Sequence, residues 1–114
     1  MTGRRVDVLL PVMPHDLVHG SFAVDLARAR LTCMARLVLV VPDRAVAYVE
    51  SLGLADEVLP EDALHPVLAR TPPGWMKQQM IKLCAARAAR TDVVLVLDAD
   101  VLVLRDVTAA DLFV

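Results

Sequence analysis

Four short, mainly aliphatic runs constrain the fold of this chain more than any other feature of its sequence. They are VDVLLP at 6–11, LVLVV at 37–41, EVLP at 57–60 and VVLVL at 93–97. Segments with helical spacing or proline-rich loops separate them. Short apolar runs that alternate with helices are typical of strands in a parallel sheet covered on both faces. We therefore predict an α/β fold, in which a mainly parallel sheet is flanked by helices within a single domain spanning residues 1–114.

Helices are predicted over the segments 17–31, 44–52 and 75–90. Asp16 is the predicted N-cap of the first helix, and Gly53 suits the left-handed residue that often follows the end of a helix. The residues expected to face the core are Phe22, Leu26 and Ala29 in the first helix and Met76, Met80, Leu83 and Cys84 in the third. The order of elements is then β-α-β-α-β-loop-α-β.

The charge balance and the hydropathy pattern argue against several classes of protein. The formal net charge is −2 and the pI is near 5.8, so we expect no basic face for nucleic acid. No apolar stretch approaches the length of a membrane span, and Asp7, Pro11 and Pro14 disrupt any resemblance to a signal peptide. Cys33 and Cys84 form no CxxC or Cys/His pattern, which is typical of a reducing compartment. We therefore predict a cytoplasmic protein.

Two aspartates, Asp98 and Asp100, follow the fourth aliphatic run, and the aliphatic pattern resumes at 101–104. An ionised carboxylate in a dry core is costly unless it is paired or binds a metal. Ligands of open parallel sheets bind beyond the carboxyl ends of the strands, where this pair is expected. Residues i and i+2 of an extended segment point to the same side, so both carboxylates are placed to bind one Mg²⁺ or Mn²⁺. The alternative is that both are solvated residues at the end of a strand.

The segment before these aspartates carries a more specific pattern. PGWMKQQMIKL at 73–83 is followed by VLVLDAD at 94–100, and residues 10–17 fit the same pattern more loosely. Together they resemble the nucleotide-binding half of metal-dependent GT-A glycosyltransferases, in particular an incompletely characterised bacterial group of them. The resemblance spans about residues 4–114, but only the helix and the Asp-x-Asp portion are specific. It implies a GT-A fold and a glycosyltransferase that uses a nucleotide-sugar donor and an unidentified acceptor.

The resemblance also implies roles for individual residues. Asp98 and Asp100 would bind a divalent metal, Mn²⁺ or Mg²⁺, that bridges the donor diphosphate. Lys82, sixteen residues before Asp98, and Gln78, one helical turn before Lys82, would assist at the donor from one helix face. An ordinary solvated helix face is the alternative for these two. Asp43, after the second run, suits contact with the nucleoside, although a helix N-cap explains it as well.

Three further residues near these motifs are interpreted as structural. Trp75 is expected to be a packing anchor on the Lys82 side of its helix. His15 and His19 flank a single acid, Asp16, and these three do not form a recognisable metal-ligand set. Roles in the loop and at the start of the helix are therefore expected for both histidines.

The C-terminal sequence contains a pattern typical of a helix start. Thr108-x-x-Asp111 resembles a capping box, and only three residues follow it. We predict from this that the chain is the N-terminal portion of a GT-A fold, truncated after the Asp-x-Asp strand. A frayed terminal turn is the alternative.

Two other functions stay open at this point. Haloacid-dehalogenase-like phosphohydrolases also have a strand that ends in Asp-x-Asp, but Leu102 departs from their pattern and only fourteen residues follow Asp100. A non-catalytic nucleotide-binding or interaction module is the other alternative, and exposed apolar surface on it would favour self-association or a partner. The sequence has no GxGxxG, GxxxxGK[ST] or GxSxG motif, which argues against dinucleotide-binding, P-loop and α/β-hydrolase folds.

Overall fold

The computed structural model describes residues 4–113. These residues form a four-stranded sheet in which every pairing is parallel. The strands are β1 (Val6–Pro11), β2 (Met34–Val41), β3 (Glu57–Pro60) and β4 (Val94–Val96), in the order β3-β2-β1-β4. The α-helices are α1 (Leu17–Arg30), α2 (Val46–Ser51), α3 (Trp75–Leu83) and α4 (Ala109–Leu112). The predicted α/β fold, with a parallel sheet flanked by helices, is confirmed.

The sheet separates two hydrophobic clusters, because alternate residues of a strand point to opposite faces. Val8 and Leu10 of β1 belong to the cluster that contains the buried residues of α1 and α2. Leu9, between them, belongs to the cluster that contains Ile81 of α3. Each fully buried Val, Leu or Ile contributes about 1.5–3 kcal/mol. Because all the strand pairings are parallel, the carboxyl ends of the strands lie along one edge of the sheet.

β4 forms an edge of the sheet and is shorter than the predicted run 93–97. It pairs with β1, with Val96 opposite Leu9, and its three residues are half-buried. The aliphatic residues at 101–104 form neither helix nor strand, so the expected resumption of the strand is wrong. Leu104 is 78% exposed. These side chains leave an apolar surface beside the edge of the sheet.

The first helix buries a different face from the one expected. Its buried residues are Gly20, Ala23, Val24 and Ala27. Phe22, which was expected in the core, is 62% exposed. The small side chains allow the helix to approach the sheet closely: a Cβ at Gly20 would lie 3.0 Å from Val12 Cγ2. Size at the contact, and not hydrophobicity alone, decides which face is buried.

The third helix is shorter than predicted. It ends at Leu83, and a 3₁₀ turn over Ala85–Ala88 replaces its expected continuation to residue 90. Ile81 is its buried residue, and Ala85 of the following turn, four residues later, joins the same cluster. Met80 and Cys84 pack against this cluster and are half-buried, whereas Met76 is 61% and Leu83 is 84% exposed. The expected core face is therefore wrong for Met76 and Leu83.

A buried polar network joins three strands near their amino ends. Asp7 of β1 is 2% exposed, and its Oδ2 lies 3.3 Å from the Arg36 guanidinium of β2. The same oxygen accepts a hydrogen bond of 2.6 Å from the backbone N–H of Arg90. Arg36 also pairs with Glu57 of β3 and donates to the carbonyl oxygen of Ala88. Asp7 is thus charge-paired in the way that a buried carboxylate requires.

The C-terminal segment packs back on the start and the middle of the chain. Thr108 and Asp111 form the predicted capping box at α4, and the Thr108 N–H donates to Asp111 Oδ2 at 2.9 Å. Before it, Val107 makes a parallel bridge with Leu31 at the end of α1. The guanidinium carbon of Arg4 lies 3.9 Å from the centroid of the Phe113 ring.

None of the helices within residues 4–113 combines the length and the apolar content needed to cross a membrane. Cys33 and Cys84 both carry free thiols.

Candidate functional site

A cleft of about 720 Å³ opens at the carboxyl edge of the sheet, beyond β1 and β4. β2 and β3 lie on one side of β1, and β4 lies on the other. The cleft is therefore at the point where the strand order reverses, which is where open α/β sheets bind their ligands. Its walls are the segment after β1, the start and middle of α3, and the turn after β4. Its volume is in the range of ordinary small-molecule sites.

Asp98 and Asp100 both line this cleft, but the backbone between them is not extended. Leu97 continues the pairing with β1 by donating its N–H to the Leu9 carbonyl at 3.0 Å. The chain then turns, and the N–H of Val101 donates to the Asp98 carbonyl at 3.0 Å. The expectation that both carboxylates share one side of an extended strand is therefore wrong in its geometry. A turn beyond the end of β4 brings them to one cleft instead.

Lys82 of α3 forms an ion pair with Asp98 across the cleft, with Nζ 2.5 Å from Oδ1. Gln78, one turn earlier on the helix, lines the same cleft. The helical spacing of four residues correctly places the two side chains on a common face. The structure thus brings together four of the residues singled out in the sequence, which are Gln78, Lys82, Asp98 and Asp100.

These residues fit a hard divalent cation that is only partly held by protein. Two carboxylates offer oxygen ligands of the kind that Mg²⁺ and Mn²⁺ prefer. Among residues 4–113, no three His, Cys, Asp or Glu side chains come together as a metal-binding group. A cation at Asp98 and Asp100 would therefore complete its coordination with ligand oxygens and water, as Mg²⁺ commonly does beside phosphates.

The start of α3 is fixed by a backbone conformation that favours glycine and by a buried ion pair. Gly74 has φ 141° and ψ −171°, a conformation that favours glycine, and its carbonyl accepts the Gln78 N–H at 3.2 Å. Lys77 Nζ lies 2.9 Å from Glu61 Oε1, and only 12% and 7% of these side chains are exposed. Both contacts fix the wall that presents Gln78 and Lys82.

The wall opposite α3 contains residues that sequence reasoning placed outside the site. His15, Asp16 and His19 line the cleft, and His15 Nε2 lies 3.4 Å from Asp16 Oδ2. Asp16 occupies the N-cap position of α1, but its side chain makes no capping hydrogen bond. The available signal was position: His15 and Asp16 lie in the 3₁₀ turn that follows β1, and His19 lies in the first turn of α1, so all three are near the carboxyl end of β1.

Trp75 is another wall residue whose predicted role is wrong. It was expected to be a packing anchor, but it is 72% exposed and lines the cleft at the first turn of α3. An exposed indole beside a polar cleft offers a flat apolar surface to a ligand. It is also the one tryptophan of the chain, which makes its fluorescence specific to this site.

Asp43 lies in a neighbouring cavity and not among the residues that line the cleft. This second cavity, of about 400 Å³, opens beyond β2 and β3 and is also lined by Glu61 and Lys77. Asp43 is the first residue of the 3₁₀ turn Asp43–Ala45, where Pro42 holds the N-cap position, so the N-cap interpretation is wrong. Lys77 lines both cavities, which places them side by side along the carboxyl edge.

Comparisons with known proteins add one match. Residues 15–114 match the profile of DUF6492, described as a family of unknown function. The matched segment includes α3 and the turn with Asp98 and Asp100. No curated protein matches the chain at a significant level.

Proposed function

The chain belongs to DUF6492, a family of unknown function, and we propose that it provides the donor-binding site of a metal-dependent GT-A glycosyltransferase. The proposed donor is a nucleotide-sugar. The observation that carries the proposal is the convergence of Gln78, Lys82, Asp98 and Asp100 on one cleft at the switch point of the sheet. The resemblance of 73–83 and 94–100 to that superfamily supports the same proposal.

The chemistry of the cleft suits a diphosphate. A nucleotide-sugar presents a doubly anionic diphosphate with an uncharged sugar on one side and a nucleoside on the other. Two carboxylates alone would repel it, so Asp98 and Asp100 would hold a divalent cation that offsets their charge. When bound, such a cation supplies Lewis-acid stabilisation of the departing nucleoside diphosphate.

The side chains of α3 that line the cleft bind the donor and orient it. The Lys82 ammonium is a compact cation on a flexible stem and donates to phosphate oxygens. Gln78 offers an amide that donates to or accepts from the sugar hydroxyls. Trp75 lies in the first turn of the same helix and lines the cleft. Its indole covers an apolar face of the ligand and limits the access of water.

The neighbouring cavity suits the nucleoside. It lies beside the cleft, and Lys77 lines both. Asp43 in this cavity is exposed and offers acceptor oxygens to ribose hydroxyls. A ligand whose diphosphate lies at Asp98 then extends along the carboxyl edge towards β2. The acceptor stays unassigned.

A non-catalytic binding module is the second candidate, and one observation favours it. Leu83 and Leu104 are 84% and 78% exposed, and Val101 and Leu102 are also exposed. Val101, Leu102 and Leu104 belong to one short segment, and a continuous exposed apolar patch favours self-association or a protein partner. Light scattering over a hundredfold range of protein concentration tests it: a mass that rises with concentration supports association, and a constant monomer mass contradicts it.

A thermal-shift titration tests the proposed donor site. Wild-type protein is heated with uridine or guanosine diphosphate, each with Mn²⁺ and with a chelator. A ligand at one hundred times its Kd stabilises the folded form by about 2.7 kcal/mol, which raises the Tm on the order of 10 °C for a domain of this size. We expect that rise with Mn²⁺ and a much smaller one with the chelator.

Variants decide whether the shift comes from the cleft. Asp98→Asn and Asp100→Asn should each abolish the metal-dependent part of the shift. Asp25→Asn, on the exposed side of α1, is the matched control and should retain it. A shift that survives in both cleft variants, or no shift with either nucleotide in a folded sample, would contradict the proposal.

A further inference from the structure

We propose that Lys82 is an exchangeable cation: it neutralises Asp98 in the empty cleft and moves to the anionic ligand when a divalent cation binds the aspartates. The inference rests on the proposed function and specifies how the two ligands of that site are coupled. The Lys82 side chain then couples binding of the divalent cation to binding of the diphosphate.

The first support is the ion pair itself. Lys82 Nζ lies 2.5 Å from Asp98 Oδ1, the carboxylate that is proposed to bind metal. A +1 ammonium and a +2 cation on one carboxylate would repel each other strongly at such distances. A cation that takes Asp98 Oδ1 must therefore displace Lys82 from that oxygen.

The second support is that this pair is free to exchange. The side chains of Lys82 and Asp98 are 29% and 52% exposed, so either can be solvated when the pair opens. Exposed ion pairs contribute little net stability. Lys77, on the same helix, is the contrasting case: its pair with Glu61 is buried, and opening it would leave a charge in the core. One lysine of α3 is structural and the other is exchangeable.

The third support is the position of Lys82 after a cation has displaced it from Asp98. Its helix position keeps it in the wall of the cleft, beside Gln78 and opposite the turn with Asp98 and Asp100. Its ammonium then faces the space between that wall and the turn, where a ligand phosphate bound through the cation would lie. The cation thus releases a donor for the anion, and thermodynamic reciprocity requires the anion to strengthen binding of the cation.

The proposal predicts effects of opposite sign from one substitution. Lys82→Met removes the competitor for Asp98, so Mn²⁺ alone should bind about threefold more tightly or better. In saturating Mn²⁺ the same variant should bind nucleoside diphosphate about tenfold more weakly, because the charged donor is missing. In chelator, the variant and the wild type should bind nucleotide with similar affinity, because Lys82 of the wild type is then paired with Asp98.

The experiment measures free Mn²⁺ by electron paramagnetic resonance during titration, with uridine or guanosine diphosphate absent and then present. Lys82→Gln is a second variant in case Lys82→Met fails to fold, and Arg87→Gln, on the exposed turn after α3, controls for a general change of charge. Tighter Mn²⁺ binding with weaker nucleotide binding, absent in Arg87→Gln, is the expected result.

Two failures are distinguishable. If the wild type binds Mn²⁺ through Asp98 but the Lys82 variants bind it equally or more weakly, the exchange is overturned while the proposed site stands. If the wild type binds no Mn²⁺ at all, or binds it unchanged in Asp98→Asn, both the exchange and the proposed site are overturned.

Discussion

Lys77 of α3 and Glu61, directly after β3, form an ion pair of 2.9 Å, and Lys77 lines both cavities at the carboxyl edge of the sheet. The 3₁₀ turn Glu61–Ala63 and α3 are far apart in sequence, so the pair fixes the distance between two elements that no local rule connects. It thereby sets the position of the wall that carries Gln78 and Lys82.

Breaking this pair should destabilise the fold. Lys77→Met leaves the Glu61 carboxylate buried without its partner, which we expect to lower the free energy of unfolding by about 3–5 kcal/mol. Arg28→Met provides the matched comparison, because its pair with Asp56 is exposed, and the loss there should stay below about 1 kcal/mol. Urea denaturation followed by circular dichroism measures both. Equal losses in the two variants would show that burial of the Lys77 pair has no energetic consequence.

Gly74 should be sensitive to substitution because of its backbone. At φ 141° an added Cβ is strained, so Gly74→Ala should cost about 1–3 kcal/mol even though no atom lies within 4 Å of the Cβ position. Gly53, at φ 64°, lies in the left-handed region that other residues reach at lower cost, so Gly53→Ala should cost about 1 kcal/mol. Denaturant midpoints compare the two. A neutral Gly74→Ala would contradict the inferred strain at the start of α3.

Trp75 should report occupation of the cleft. Its indole is exposed at the cleft wall, so a bound nucleoside diphosphate should alter its emission when excited at wavelengths that the nucleotide does not absorb. The change should saturate with Mn²⁺ and nucleotide together. Asp98→Asn serves as the control for direct quenching by Mn²⁺ and should show no saturable change. Emission that stays constant while the ligand binds by another method would remove Trp75 from the site.

Asp111 should titrate below an ordinary aspartate. The hydrogen bond from the Thr108 backbone N–H, with smaller contributions from Arg105 and the Thr108 hydroxyl, holds the pKa of Asp111 below its usual value. A lowered folded-state pKa means that the capping box stabilises the fold above the unfolded pKa of about 3.9 and loses this contribution as the pH falls through the folded value. Carbon-13 NMR of the Asp111 carboxyl should give a midpoint below about 3.9. Because the backbone donor survives, Thr108→Ala should keep most of the shift; a midpoint at or above the ordinary value would contradict the capping geometry.

The strands and four polar residues of the cleft, Gln78, Lys82, Asp98 and Asp100, were visible in the sequence for a physical reason. Strands buried on both faces are aliphatic throughout, and ligand-binding residues follow the carboxyl ends of such strands, so both are visible in local patterns. Lys82 was singled out by the family resemblance of the segment 73–83, and the four-residue spacing, nearly one helical turn, then placed Gln78 on the same face.

What escaped prediction depends on contacts between distant segments. The turn at Asp98 and Asp100 was not foreseen, because an aliphatic run gives no indication of where β1 stops pairing with it. Phe22 was placed in the core because hydrophobicity does not show that Gly20 and Ala23 approach the sheet more closely. The Lys77–Glu61 pair has no local sequence signature at all.

The most direct test of the donor site is a calorimetric titration of uridine and guanosine diphosphate into wild type and Asp100→Asn, each in Mn²⁺ and in chelator. Asp100 is the better aspartate to change, because the Lys82 ion pair is made by Asp98 and stays intact. We predict one nucleotide bound per chain in Mn²⁺, at least about tenfold weaker binding in chelator, and the same weak binding by Asp100→Asn under both conditions. Equal affinity of the wild type in Mn²⁺ and chelator, or full metal-dependent affinity in Asp100→Asn, would contradict it.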